Sequence, residues 1–296
     1  MKTITPPLKS TERFSPKTQT NWDWRAACNF IGGGAGGSLL FWAALAALGG
    51  ADFRPLAFLG MVLVGAGLTC VWFEIGRPWR ALNVFNHFST SWMTREASVA
   101  PLLFLMALAA WIGHPILTGL AGLLGAVFLY AQARILKADK GIPAWRHPGC
   151  QPLMLSTGLT EGLGLLVAAL ALTGAPQTWA LIALLILLLS RVITWRAYRA
   201  GLKRDGAPLG TLRALADIDT GLLMAGHLVP VLLLIVAYNL PLAAVVAGVL
   251  ATAGGWWLKY TIIRRAAYTQ GFALTHIPAR GRGSAGPQVK PGWNIK

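Results

Sequence analysis

Charge is scarce in this chain, and acid scarcer still. Only 12% of its 296 residues are Asp, Glu, Lys or Arg, and just 10 carry a carboxylate side chain. Water-soluble domains use about twice that share of charge, so a soluble fold is excluded. Cysteine is equally sparse. Cys28, Cys70 and Cys150 form no CxxC pair and none of the spacings that hold zinc or an iron–sulfur cluster, so no cluster is expected in this chain. Of the five histidines only His227 falls well inside an apolar run; His87, His114, His147 and His276 lie between or beyond such runs. A bis-histidine haem needs two imidazoles at matched depth on facing helices, so haem is not expected either. The first 24 residues contain no apolar core and carry Lys2, Lys9, Arg13 and Lys17, which does not fit a cleaved signal peptide.

What the chain has in quantity is apolar length. Hydrophobic residues make up 55%, mean hydropathy is +0.56, and there are 34 glycines. Crossing about 30 Å of hydrocarbon takes roughly 20 apolar residues. Runs of that order fall at 26–48, 55–73, 97–113, 115–135, 152–173, 177–196, 221–238 and 241–259. The fold class is therefore all-α: a polytopic membrane protein of eight transmembrane helices in an antiparallel bundle. It divides into an N-terminal tail (1–25), a transmembrane domain (26–259) and a C-terminal tail (260–296), with very short links at 113–115, 174–176 and 239–240 forcing antiparallel neighbours. A longer sixth link is expected between 196 and 221.

An even number of spans puts both tails and the even-numbered links on one side. All of the 26 Lys and Arg except Arg54 then fall on that side. By the positive-inside rule both termini are cytoplasmic, in a bacterial inner membrane. The net charge of +16 is thus a record of orientation and of contact with anionic membrane lipid, and no nucleic acid partner is expected.

The polar residues concentrate in one stretch. Phe73-Glu74-Ile75-Gly76-Arg77-Pro78 leads through Asn86-His87 to Thr90-Ser91-Trp92-Met93-Thr94-Arg95-Glu96, between the second and third spans. Glu74 and Glu96 with Arg77, Arg80 and Arg95 can form a charge network that merely joins two helices. The same groups can instead line a pocket for a small redox molecule, a carboxylate handling the protons. Asn29 and Tyr130 are expected at the same depth, Tyr130 alternatively as an interfacial belt residue. In the first span Gly32-Gly33-Gly34-Ala35-Gly36-Gly37 leaves room for another helix or a flat ring.

Two ionisable residues sit deep in the membrane. Glu161, among glycines in the fifth span, reads either as a hydrogen-bonded helix contact or as a proton relay; such groups are expensive in a bilayer and usually functional. His227 reads as a packing donor, a proton carrier or a hydrogen-bond partner for a quinone carbonyl. Arg191, near the end of the sixth span, is expected to snorkel toward the surface.

The Ile-Gly-Arg-Pro helix end, the Arg-Ala-Leu-Asn continuation and the Thr-Ser-Trp-Met-Thr-Arg-Glu opening of the third span resemble the membrane anchors of molybdopterin oxidoreductases, of the dimethyl-sulfoxide reductase and polysulfide reductase type. The tail from Gly271-Phe272-Ala273-Leu274 to Lys290-Pro291-Gly292-Trp293 is similar to anchors of phenylacetyl-CoA acceptor oxidoreductases. The resemblance implies a haem-free subunit passing electrons between a quinone (menaquinone or ubiquinone) and an iron–sulfur subunit, which serves a molybdopterin catalytic subunit. It implies Glu96 beside the quinol, and Glu74 where some relatives have His. A transporter working through Glu161, His227 and Arg191, and a purely structural anchor, are the alternative readings.

Overall fold

The computed structural model describes residues 15–75, 78–173 and 177–271. Among these residues eight helices are long and apolar enough to cross a membrane: α1 (Trp24–Leu48), α2 (Phe53–Glu74), α3 (Trp92–Ile112), α4 (Pro115–Ala138), α5 (Cys150–Leu172), α6 (Thr178–Arg204), α7 (Leu209–Val236) and α8 (Pro241–Arg265). The protein is an all-helical, multi-pass membrane protein. Three of these helices start where short polar side chains occupy backbone N–H groups that have no partner within the helix. Asp23 accepts from Arg25 N at the head of α1, Asp52 from Arg54 N at α2, and Ser91 from Thr94 N at α3.

The sixth link differs from expectation. In place of a stretch from 196 to 221, α6 runs on to Arg204 and α7 begins at Leu209, leaving residues 205–208 as a turn with Gly206 at φ 68°. At 1.5 Å per residue the 27 residues of α6 are about 40 Å long, well beyond the hydrocarbon thickness. Hydropathy ends a span where charge begins; Ala, Leu, Arg and Lys are strong helix formers that carry the helix into water.

Two helices hold the bundle together. α5 and α1 bury 78% and 61% of their apolar windows, against 28–50% for the other six. α1 packs on α2, α4 and α5, and α5 packs on α1, α4, α6 and α8. Because lipid is as apolar as leucine, such contacts rely on close packing. The α1 glycines serve that purpose: a Cβ on Gly36 would come within 2.5 Å of Gly60 O on α2, and one on Gly37 within 2.8 Å of Gly125 O on α4. Of the two sequence readings, helices and not a ring fill these places.

The two described ends meet. Gln19 N donates to Ala267 O at 2.9 Å, and Thr269 N to Lys17 O at 2.8 Å. They lie on one face of the bundle, as an even helix count requires.

Candidate functional site

The first polar centre is built by α1, α3 and α4. Glu96, 6% exposed, sits one turn into α3, and its Oε1 accepts from Gln132 Nε2 of α4 at 2.9 Å and from Asn29 Nδ2 of α1 at 3.2 Å. Gln132 Nε2 also donates to Asn29 O at 3.0 Å, so one amide fixes both neighbours. Asn29 Oδ1 is buried with no partner among the described residues. Asn29, Glu96 and Glu74 line a cavity of about 50 Å³ closed by Trp22, Phe30 and Met93. That is room for one or two waters at about 30 Å³ each.

The segment before α1 walls this cavity. Trp22 stacks on Trp145 with centroids 4.8 Å apart, its carbonyl accepting from Gln19 Nε2 and Arg264 Nη1. Asp23 N donates to Glu74 Oε1 at 3.2 Å, and Arg25 Nη1 to Phe73 O. Glu74 is thereby tied to the N-terminal segment and held beside the cavity.

The expected carboxylate–guanidinium network does not form through Arg95. Its guanidinium donates to Phe88 O and Ser89 O and lies over the Trp92 ring at 4.3 Å, with Arg134 over the same ring at 4.5 Å. Arg134 Nη1 also donates to the Tyr130 hydroxyl at 3.0 Å, and Tyr130 meets Trp92 edge-on. Trp92, Arg95 and Tyr130 are therefore together, in a cation–π cluster rather than on Glu96. Arg77 lies outside the described residues.

A second polar centre joins α5 to α8. Glu161 Oε2 accepts from Lys259 Nζ at 2.5 Å with neither side chain exposed, and Lys259 Nζ also donates to Phe30 O at 2.9 Å. Lys259, at the end of the eighth apolar run and one of the cations counted on the positive face, is the counter-ion of Glu161. Arg191 does not snorkel. It is wholly buried and donates to His227 Nε2 at 2.9 Å, Ala251 O at 2.8 Å and Gly226 O at 2.7 Å.

The reason is local. Pro230 has no N–H to give the carbonyl four residues back, so Gly226 O needs another donor, and residues 224–228 widen into a π turn. His227 Nδ1 satisfies Leu222 O at 2.8 Å. Both imidazole nitrogens are thus engaged, which leaves none for a quinone carbonyl.

A family model for the DMSO reductase anchor subunit (DmsC) matches residues 54–253. The chain belongs to the DMSO reductase anchor subunit family. The match bears out the resemblance to molybdopterin oxidoreductase anchors and takes in Glu74, Glu96, Gln132, Glu161, Arg191 and His227. A sulfite dehydrogenase subunit from Allochromatium vinosum is 30% identical over 161 residues, covering 46% of this chain and 50% of that protein. The chain thus spans about half the length of the curated relative it matches.

Three residues of these centres escaped the sequence reading. Gln132 is a lone amide in an apolar run, a detectable signal. Trp22 lies in a polar tail, and Lys259 at a span end; neither position marks a buried contact.

Proposed function

We propose that this anchor passes electrons between the membrane quinone pool and an iron–sulfur subunit of a molybdopterin oxidoreductase, at the cavity beside Glu96. The observation that carries this reading is a buried carboxyl whose Oε1 is fixed by two amides, next to an Asn29 Oδ1 that has no partner among the described residues, on a cavity that a second carboxylate borders. The donor set fits a quinone: amide and carboxyl groups for a carbonyl or hydroxyl, and Trp22, Phe30 and Met93 for an apolar ring. At about 50 Å³ the cavity admits the edge of a ring, well below the 300 Å³ or more of a full ligand pocket. A bound quinone supplies two-electron chemistry with two accompanying protons. Glu96 holds or releases a proton at its carboxyl oxygen, Gln132 and Asn29 orient it, and Glu74 leads toward the surface.

With no cluster-type cysteine spacing in its sequence, the chain connects to a metal only through a partner. We read the cationic face as cytoplasmic, in a bacterial inner membrane, with the partner subunits bound there. The name of the Allochromatium vinosum relative makes sulfite the first substrate to try with the captured complex.

The test is quinol-linked turnover of the detergent-purified complex. Removing a general acid or base costs about 10²–10⁴-fold, so Glu96→Gln is expected to lose at least ~100-fold, and Glu74→Gln to lose activity as well, with co-purification of partners unchanged. Wild-type turnover in both variants would falsify the site. The transporter reading is disfavoured because Arg191 and His227 bond each other and nearby carbonyls and Glu161 Oε2 is taken by Lys259, which leaves Glu161 Oε1 as the one oxygen of this set without a partner among the described residues.

A further inference from the structure

Along the outer surface of α6 runs a lipid-facing stripe, Ile182, Ile186, Leu189 and Ile193, each more than half exposed and spaced three or four residues apart. The next position of that stripe is Arg196, followed by Ala200 and Lys203. The chemistry of one continuous helix face therefore changes from hydrocarbon to cation within a single turn. That change is a depth mark: it sets Arg196 at the level where acyl chains give way to headgroups.

Two recesses lie between α6 and α7, one on each side of the mark. On the cationic side a recess of about 530 Å³ is lined by Arg196, Arg199 and Lys203 with Leu212 and Leu215. On the other, a trough of about 510 Å³ is lined by Leu185, Leu189, Val192, Leu223 and Val231, with His227 at one wall. His227 offers the trough no free nitrogen, since both are bonded. From Leu185 to Arg196 is 11 residues, about 16 Å of helix, or half the hydrocarbon thickness. Together the recesses have the length of one leaflet.

The charge balance selects the headgroup. Asp219 accepts from Trp195 Nε1 at 2.8 Å and pairs with Arg199 and, at 3.4 Å, with Arg196. Asp217 is taken by Arg265. Lys203 has no acidic partner among the described residues. Three cations against one shared carboxylate leave the recess positive by two charges, suited to a phosphodiester with no compensating amine.

We propose that the α6–α7 groove is a binding site for one anionic phospholipid, its phosphate held by Arg196, Arg199 and Lys203 and an acyl chain laid in the trough down to Leu185. The occupant is a lipid and not a free anion because an apolar trough lies between the same two helices on the hydrocarbon side of the cationic recess. It is distinct from the Glu96 cavity, which other helices form.

The test uses the full-length protein in mild detergent, titrated with phosphatidylglycerol and phosphatidylcholine of the same acyl chains and read by native mass spectrometry. Two surface cations at about 1 kcal/mol each are worth roughly tenfold or more in affinity. Phosphatidylglycerol is therefore expected to bind at least ~10-fold tighter than phosphatidylcholine, and Arg196→Gln/Lys203→Gln to remove that preference while elution and helicity stay unchanged. Leu189→Trp, which fills the trough, is expected to weaken both lipids while leaving glycerophosphate binding as it was. Equal affinity for the two lipids, or an undiminished preference in the double variant, overturns the site. Glycerophosphate competing as well as the intact lipid would make it a free-anion site and overturns the lipid assignment.

Discussion

Lys259 and Glu161 face each other with no water contact at either side chain, and each is tolerable there only because of the other. Removing one partner of a buried pair leaves an uncompensated charge and costs about 3–5 kcal/mol, whereas replacing both by apolar groups is often neutral. Lys259→Met is therefore expected to lower the thermal midpoint of the detergent-purified protein sharply, and Lys259→Met/Glu161→Leu to recover most of that loss. A double variant no better than the single one would contradict the pairing. This pair also marks where the sequence stops being legible. Glu161 stands out because it interrupts an apolar run, but Lys259 sits where hydropathy ends and charge is normally solvated. A span boundary read from composition cannot tell a lysine that turns inward from one that turns out. The same limit hid the burial of Arg191.

At the scale of the element, α7 shows how a helix break is repaired by a neighbour. Pro230 leaves Gly226 O without its usual donor, and the guanidinium of Arg191 on α6 supplies one. Arg191→Met removes donors from Gly226 O, Ala251 O and His227 at once, so a loss of several kcal/mol is expected. Pro230→Ala provides a backbone N–H that can serve Gly226 O; in the Arg191→Met background it should restore about 1 kcal/mol, and by itself change little. A thermal-unfolding cycle of the four proteins measures this coupling, and strict additivity would mean that the two residues do not share the carbonyl. Helix number and order were readable from apolar length alone, because the bilayer imposes that length. The extension of α6 and α7 past the membrane was not, since a helix in water keeps its propensity while losing its hydropathy.

For the whole molecule, the segment between α4 and α5 is a point of acid sensitivity. His147 is mostly buried, and burial pushes its imidazole below the ordinary value of 6.5; Asp205, with a carboxylate 3.5 Å from Nε2, opposes this and Arg204 adds to it. A folded-state value below the unfolded one means that the unfolded chain binds the proton first. Stability contributed here is present above pH 6.5 and is lost as pH falls from that value toward the lower folded-state one. The thermal midpoint should therefore drop through that window, and His147→Gln should flatten the slope; an unchanged slope would place the sensitivity elsewhere.

Orientation can be measured separately. A fluorescent reporter fused after the C-terminus should fold and fluoresce, and a phosphatase requiring export should be inactive there; the reverse pattern would invert the assignment drawn from the lone position of Arg54.

The bonds between residues 17–19 and 267–269 carry a consequence in time. About 250 residues separate these partners, and at roughly 5–20 residues per second a ribosome needs on the order of 12–50 seconds to make them. Throughout that interval Trp22 has neither Arg264 nor the last helix to hold it. The wall of the Glu96 cavity is therefore among the last parts of the molecule to be completed, and a chain released early would insert its first helices with that cavity unfinished.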